Sequence, residues 1–229
     1  MLNAKRKITK RELKQDALIT SYMKATSFFE QNKKNVQVGL TALVVLIIAS
    51  VAYMNNQRSN NEAATAELGK VYAYYDNSQY QLAIDGVPER NIRGLKSVVE
   101  EYGGTRAGEM ARFYLANAYF QLGRYDEALE NFEEFSGSDP LLEASRLSGI
   151  AACHEAKGNH PEAAEYFEKA ATKYPKDPNA AENLHHAARN YGLAGQKGKA
   201  VDLFKKLKKE YPTSTFAREA DRYIAQFSA

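Results

Sequence analysis

The sequence predicts an all-α protein: an N-terminal amphipathic helix, one transmembrane helix, then an αα-hairpin solenoid with a C-terminal capping helix. Three observations carry that prediction. Residues 36–54 form an uncharged, apolar run, a seven-position frame recurs after 35 and then 37 residues from Gly123 to Gly158 to Gly195, and the charge is unevenly divided. Residues 1–35 hold nine Lys/Arg against three Asp/Glu, whereas the remaining chain holds 22 against 25. A basic arm is therefore joined to a mildly acidic body, which the formal net charge of +3 conceals.

Residues 1–35 read as a basic cytoplasmic helix. Thr9 is placed to cap it, Glu12 to complete a capping box three residues on, and Ile8 to staple against Leu13. Leu13, Ala17, Leu18, Tyr22, Ala25, Phe28 and Phe29 recur on or near one side, leaving Lys10, Arg11, Lys14 and Lys24 for the other. Such a helix can lie on an anionic leaflet or against a partner's cytoplasmic face. It can equally serve as a topology signal with a solvated surface.

Residues 36–54 contain Gln37 as their one strongly polar side chain. Nineteen residues of helix extend about 28 Å, close to the ~30 Å hydrocarbon core of a bilayer. A buried core helix normally keeps a polar face; this segment is apolar all round, with Tyr53 at interface depth. Lys33 and Lys34 before it, against Arg58 close behind, keep the N-terminus on the cytoplasmic side. Ser50-Val51-Ala52 fits a small-x-small cleavage site, so a signal peptide is the competing reading, opposed by the length of the preceding segment. Cys153, the only cysteine, lies far downstream, which excludes a lipid anchor at the span and any internal disulfide.

Residues 55–61 are polar throughout and read as a linker or an extension of the helix. The repeats follow. The first unit of the frame is Ala116, Tyr119, Gly123, Tyr125, Ala128, Phe132 and Pro140; the second is Ala151, His154, Gly158, His160, Ala163, Phe167 and Pro175; the third is Ala188, Tyr191, Gly195, Lys197, Ala200, Phe204 and Pro212. The alanines let two antiparallel helices cross closely, and the glycine leaves the first helix with φ > 0. The aromatics fill the space between hairpins, and proline stops the second helix. One hairpin cannot bury its own apolar face, so hairpins stack. Upstream, residues 62–108 read as a degenerate first repeat around Tyr74, Tyr80, Ala83, Glu101 and Tyr102, with its second helix interrupted at Asp85-Gly86-Val87-Pro88. The spacing of 45 from Ala83 to Ala128 implies an insertion of roughly ten residues. Residues 109–214 hold the three full repeats. Residues 215–229 form the capping helix, with Phe216, Ala220, Ile224 and Phe227 turned to the last hairpin.

This frame closely resembles the tetratricopeptide repeat family over residues 109–214, departing where His154, His160 and Lys197 replace the usual aromatics. The resemblance implies a concave groove lined by the first helix of each hairpin. The residues expected to face it are Met110, Phe113, Asn117 and Phe120, then Ser145, Ser148, Ala152 and Glu155, then Glu182, His185 and Arg189. Met110, Phe113 and Phe120 would anchor an extended or helical segment of a partner, with His185 and Arg189 orienting it. The alternative is that the degenerate upstream unit covers those aromatics. Asn117 and Arg189 stand where some relatives grip a peptide carboxylate, but Phe113 and Ser148 occupy the places of the clamp's lysines, so a full clamp does not carry over.

The order of basic helix, single span, polar linker and repeats resembles the YfgM-like inner-membrane proteins, and Thr9-Lys10-Arg11-Glu12-Leu13-Lys14-Gln15-Asp16 and Glu101-Tyr102-Gly103-Gly104-Thr105 resemble related proteins of the Bacteroidetes and Chlorobi. The resemblance implies a membrane-anchored periplasmic scaffold for protein–protein interaction, an accessory of the export channel or of the periplasmic chaperone network. A structural accessory subunit of another inner-membrane complex, respiratory or photosynthetic and held by its transmembrane helix, is the second expectation.

Catalysis is not expected. His154 and His160 fall on packing positions of the frame, and His185 and His186 are adjacent and diverge on a helix. Cys153 and His154 diverge likewise, which opposes a thiolate–base pair. The glycines form no phosphate cradle, and carboxylate pairs such as Glu133-Glu134 read as solvated helix surface. No metal, cofactor or small-molecule substrate is expected. Lys205, Lys206, Lys208 and Lys209 are interleaved with Asp202 and Glu210, so no nucleic-acid partner is expected either.

Overall fold

The computed structural model describes residues 10–137 and 139–228, and the chain divides into two compact units, Met1–Asn56 and Gln57–Ala229. Among the described residues there are eleven α-helices and one two-stranded sheet.

The first unit holds α1 (Lys10–Gln31) and the opening part of α2 (Lys33–Asp76). The expected Thr9 cap and Ile8 staple lie outside the described residues. Ile19, Tyr22, Met23 and Phe29 recur at helical spacing on α1 and are exposed. In α2 the large apolar side chains from Val38 to Met54 are each more than half exposed. The Thr41 hydroxyl returns a hydrogen bond to the Gln37 carbonyl at 2.9 Å, so this polar group is satisfied inside the helix itself. The stretch is long and apolar enough to cross a membrane.

The polar residues 55–61 are helical. They contain no glycine or proline to break the helix, and Arg58 pairs with Glu62 one turn on at 3.0 Å. Asn61 has a further role: its Oδ1 accepts the backbone N–H of Ala107 at 2.9 Å, at the start of α5 (Arg106–Gln121). Thr105 Oγ1 accepts the Gly108 N–H at 3.0 Å beside it. Two of the donors a helix start leaves unpaired are thus satisfied from two different segments.

In the second unit the remainder of α2 forms the first helix of the degenerate repeat. Its second helix is split into α3 (Tyr80–Asp85) and α4 (Leu95–Tyr102), whose Ala83, Ile84, Leu95, Val98 and Val99 are buried. Between them stand β1 (Gly86–Val87) and β2 (Ile92–Arg93), antiparallel with Gly86 opposite Arg93, joined by a 3-10 turn at Pro88–Arg90. Gly86 has φ +84, and a Cβ there would collide with the Gly94 nitrogen and the Ile92 carbonyl oxygen, while a Cβ on Gly94 would collide with the Ile84 carbonyl oxygen, so neither position admits a side chain.

Three hairpins follow: α5 with α6 (Tyr125–Glu134), α7 (Pro140–Ala156) with α8 (His160–Lys173), and α9 (Ala180–Leu193) with α10 (Lys197–Glu210). All six frame alanines, Ala116, Ala128, Ala151, Ala163, Ala188 and Ala200, are fully buried at the helix crossings, and Phe132, Phe167 and Phe204 are buried with them. Gly123, Gly158 and Gly195 have φ of +74, +78 and +79. Proline departs from its expected role in one repeat. Pro175 and Pro212 follow the ends of α8 and α10, but Pro140 is the first residue of α7, capped by Asp139. There α6 has already ended at Glu134, because Phe135 turns into extended backbone to bury its ring.

The C-terminal helix, α11 (Thr215–Ser228), lies on the last hairpin and buries Ala217, Ala220 and Phe227. Tyr223 stacks on Phe204 with centroids 5.0 Å apart and planes 5° apart, a contact that the apolar periodicity alone does not single out.

Candidate functional site

The first helices of the hairpins present α5, α7 and α9 side by side, and the concavity along them has a volume of about 490 Å³. Phe113, Asn117, Phe120 and Gln121 of α5 line it, with Ser145, Ser148, Gly149, Ala152 and Glu155 of α7 and Glu182, Asn183 and His186 of α9. Neither lysine nor arginine is among the lining residues.

At its apolar end the ring of Phe113 lies 5.9 Å from those of both Phe132 and Phe135, and Phe120 lies 5.4 Å from Tyr125. These contacts come from the same repeat. The tyrosines of the upstream unit fall instead on Tyr114, which meets Tyr72 at 5.1 Å and Tyr75 at 4.9 Å. Phe113 and Phe120 therefore keep part of their surface on the concave side. Burial among Tyr80, Tyr114 and Tyr72 pushes the Tyr75 phenol up to about 12, so this cluster is a neutral packing surface at ordinary pH.

The middle is polar and uncharged. Asn117 Nδ2 donates to the Phe113 carbonyl at 2.8 Å, which fixes its carboxamide across the groove floor. The Ser148 hydroxyl lies 2.9 Å from Asn183 Oδ1, tying α7 to α9 and holding a buried amide in place.

The far end is a charge network. Glu155 pairs with Arg189 and accepts from Asn190 Nδ2 at 3.1 Å, while the Asn190 Oδ1 lies 2.8 Å from His160 Nδ1. His186 sits 3.7 Å from both Glu155 and Glu182, with its ring stacked 5.0 Å from Phe167. Burial holds the His186 pKa below its ordinary value, opposed by Glu155 and reinforced by Arg189.

Three of the eleven residues expected in the groove lie elsewhere. Met110 lines a separate concavity with Phe135, Gly137 and, from the first turn of α7, Leu142. Arg189 does not reach a ligand position, since Glu155 holds its guanidinium. His185 turns into the core, with Phe204 at 5.6 Å, Phe216 at 5.2 Å and Tyr223 at 5.2 Å. The structure brings Phe113, Asn117, Phe120, Ser145, Ser148, Ala152, Glu155 and Glu182 to one surface and adds His186, Asn183, Gln121 and Gly149. Leu184 and Ala188 mark the buried side of α9, and His185 follows them inward; that pattern was the available signal for choosing His186 instead.

Cys153 is buried, and desolvation lifts its thiol to about 12, which removes it as a nucleophile. Among the described residues no group of three or more His, Cys, Asp or Glu is placed to hold a metal ion.

Stacked antiparallel helix pairs with a concave face lined by their first helices define a helical-repeat solenoid. The repeats are tetratricopeptide repeats: residues 113–178 match one model of that repeat and residues 182–214 match another. Among solved structures the fold is similar to the nearly identical TPR-like repeats ascribed to a kinesin light chain of Podosopora anserina, at TM-score 0.52 and 21% identity over 75% of this chain and 85% of that one. A point-substituted form of the same repeats gives the same TM-score and identity, covering 75% and 84%. No curated protein matches the chain in sequence.

Proposed function

We propose that the chain is a membrane-anchored, non-catalytic scaffold that holds a segment of a protein partner in the groove of its repeats. The observation that carries this reading is the lining itself. Half-buried Phe113 and Phe120 offer an apolar anchor, and Asn117, Asn183 and Ser148 offer polar groups to an extended main chain. The exposed charge at the far end is that of Glu182, which lies beside His186 and is about half exposed, so the segment accepted is apolar and neutral or basic, not acidic. The apolar stretch of α2 supplies the anchor, and the basic residues before it favour a cytoplasmic N-terminus with the repeats on the periplasmic side. The resemblance to YfgM-like proteins supports a partner in the export channel or among chaperones that receive emerging chains.

A photo-crosslinker at position 113 or 120 in intact membranes tests the groove. Partner adducts at both are expected, and their absence at both would remove the reading. The exposed apolar surface of residues 38–54 favours a second reading, a structural accessory subunit bound through its span. Deletion of residues 1–54 separates the two. A complex that survives deletion is held by the repeats, and one lost completely is held by the span.

A further inference from the structure

The groove uses one side of the repeats; the second helices α6, α8 and α10 turn another side to solvent, and its charge reverses along the solenoid. Counting from the buried frame alanine of each helix, the position one before it is Glu127, Glu162 and Lys199 in turn. The position five after it is Glu133, Glu168 and Lys205, and the position six after it is Glu134, Lys169 and Lys206. The position two after it, Glu130, Glu165 and Asp202, is acidic on all three helices, so the reversal is one of net charge: five acids and no base on α6, three acids against two bases on α8, and six bases against two acids on α10. Part of this charge is engaged within the chain: Glu127 with Arg124, Glu134 with Arg112, and Lys199 with Glu168. Among the described residues Glu130 and Glu133 on α6, and Lys197, Lys205, Lys206 and Lys209 on α10, have no ion-pair partner, and all but the half-exposed Lys206 are exposed.

A surface that runs from acidic to basic about a nearly neutral middle is its own complement. Turning one copy by 180° about an axis parallel to α8 lays its α6 over the α10 of another copy, and its α10 over that copy's α6. Both contacts then join helices of opposite net charge, which favours a closed two-fold pair. No other rotation in the plane of this face does so: an axis perpendicular to the helices sets α6 on α6 and α10 on α10. A partner other than a second copy would need the inverse gradient at the same helix spacing.

We propose that two copies of this chain pair through the outer faces of α6, α8 and α10, each copy's α6 against the other's α10. The face is polar, so the pairing is electrostatic and leaves both grooves open. Surface ion pairs are individually weak, and the association depends on the six-helix array acting together.

The test uses the full chain in detergent micelles, with protein mass read by light scattering. At about 50 mM salt the mass is twice that of one chain; at about 1 M salt, where the screening length is about 3 Å, it falls to one. The variant Lys205→Glu with Lys206→Glu brings α10 to four acids against four bases and stays single at low salt, as does the variant Glu130→Lys with Glu133→Lys, which leaves α6 with three acids against two bases. Mixing the two restores the doubled mass. A single mass for the native chain at low salt overturns the proposal. So does a doubled mass that persists in both variants, which would assign pairing to another surface, and so does a mixture that stays single.

Discussion

Phe135 has left helix α6 when it packs its ring 5.9 Å from that of Phe113, and this contact shapes one end of the groove. Its backbone is extended and its side chain buried. The next residue, Ser136, donates its N–H to Glu109 Oε2 at 2.6 Å, so the loop is fastened back onto α5. The early exit of α6 leaves Asp139 and Pro140 free to start α7, which runs 17 residues against 14 for α9.

Truncation at Phe135 removes a buried ring whose neighbours belong to helices already packed elsewhere, so the site cannot collapse fully. Phe135→Ala is expected to destabilise the repeats by about 3 kcal/mol, and Phe135→Leu by less than half of that. Denaturant unfolding followed by circular dichroism measures both. Equal, negligible losses would show that the loop does not hold the end of the groove.

The hairpin architecture was legible because it depends on residues that geometry leaves little choice about. Gly123, Gly158 and Gly195 each take a left-handed φ with open space around them, so the constraint is on the backbone alone and repeats with the frame. Alanine at any one of them is expected to cost about 1 kcal/mol, and the three changes to add, being far apart. Urea midpoints of the single and triple variants decide this. The groove was less legible, because which side of α9 faces inward depends on Phe204, Phe216 and Tyr223, contributed by helices later in the chain. Their contacts draw His185 inward and leave His186 at the groove. The displaced Pro140 was hidden for a similar reason: its spacing of eight from Phe132 equals that of Pro175 from Phe167, yet Phe135 ends the helix first.

His185 has both ring nitrogens buried without a hydrogen-bond partner, inside a cage of aromatic rings. Burial, then His186 and Arg189 on its own helix, lower its pKa to about 4; Glu219 on α11 opposes this, and Arg222 reinforces it. The unfolded ring protonates near 6.5, so between those values the unfolded chain binds the additional proton. Stability from this residue is complete above about pH 6.5 and is lost as the pH falls toward 4. At pH 5 the loss is about 2 kcal/mol. His185→Phe fills the same cage without a titrating group, and its unfolding midpoint is expected to fall less between pH 7 and 5 than that of the native chain. Parallel pH dependence in the two proteins would place the acid sensitivity elsewhere.

Burial lowers the His186 pKa and the Glu155–Arg189 pair modulates it, so that removal of the one or the other member shifts that histidine in opposite directions. With Arg189→Gln, a cation that disfavours the protonated ring is lost and the Glu155 carboxylate is freed to face it, so the His186 pKa rises. With Glu155→Gln, the nearest stabilising anion is lost while burial and Arg189 continue to act, so it falls further. Imidazole resonances followed through a pH titration give both signs directly. Because His186 lines the groove, the first change also makes that end of the lining more cationic in mild acid. Capture of a neutral or basic segment should then weaken as the pH drops in Arg189→Gln and stay nearly constant in Glu155→Gln. The same direction of shift in both variants would show that desolvation alone governs His186 and that the pair is a packing contact between α7 and α9.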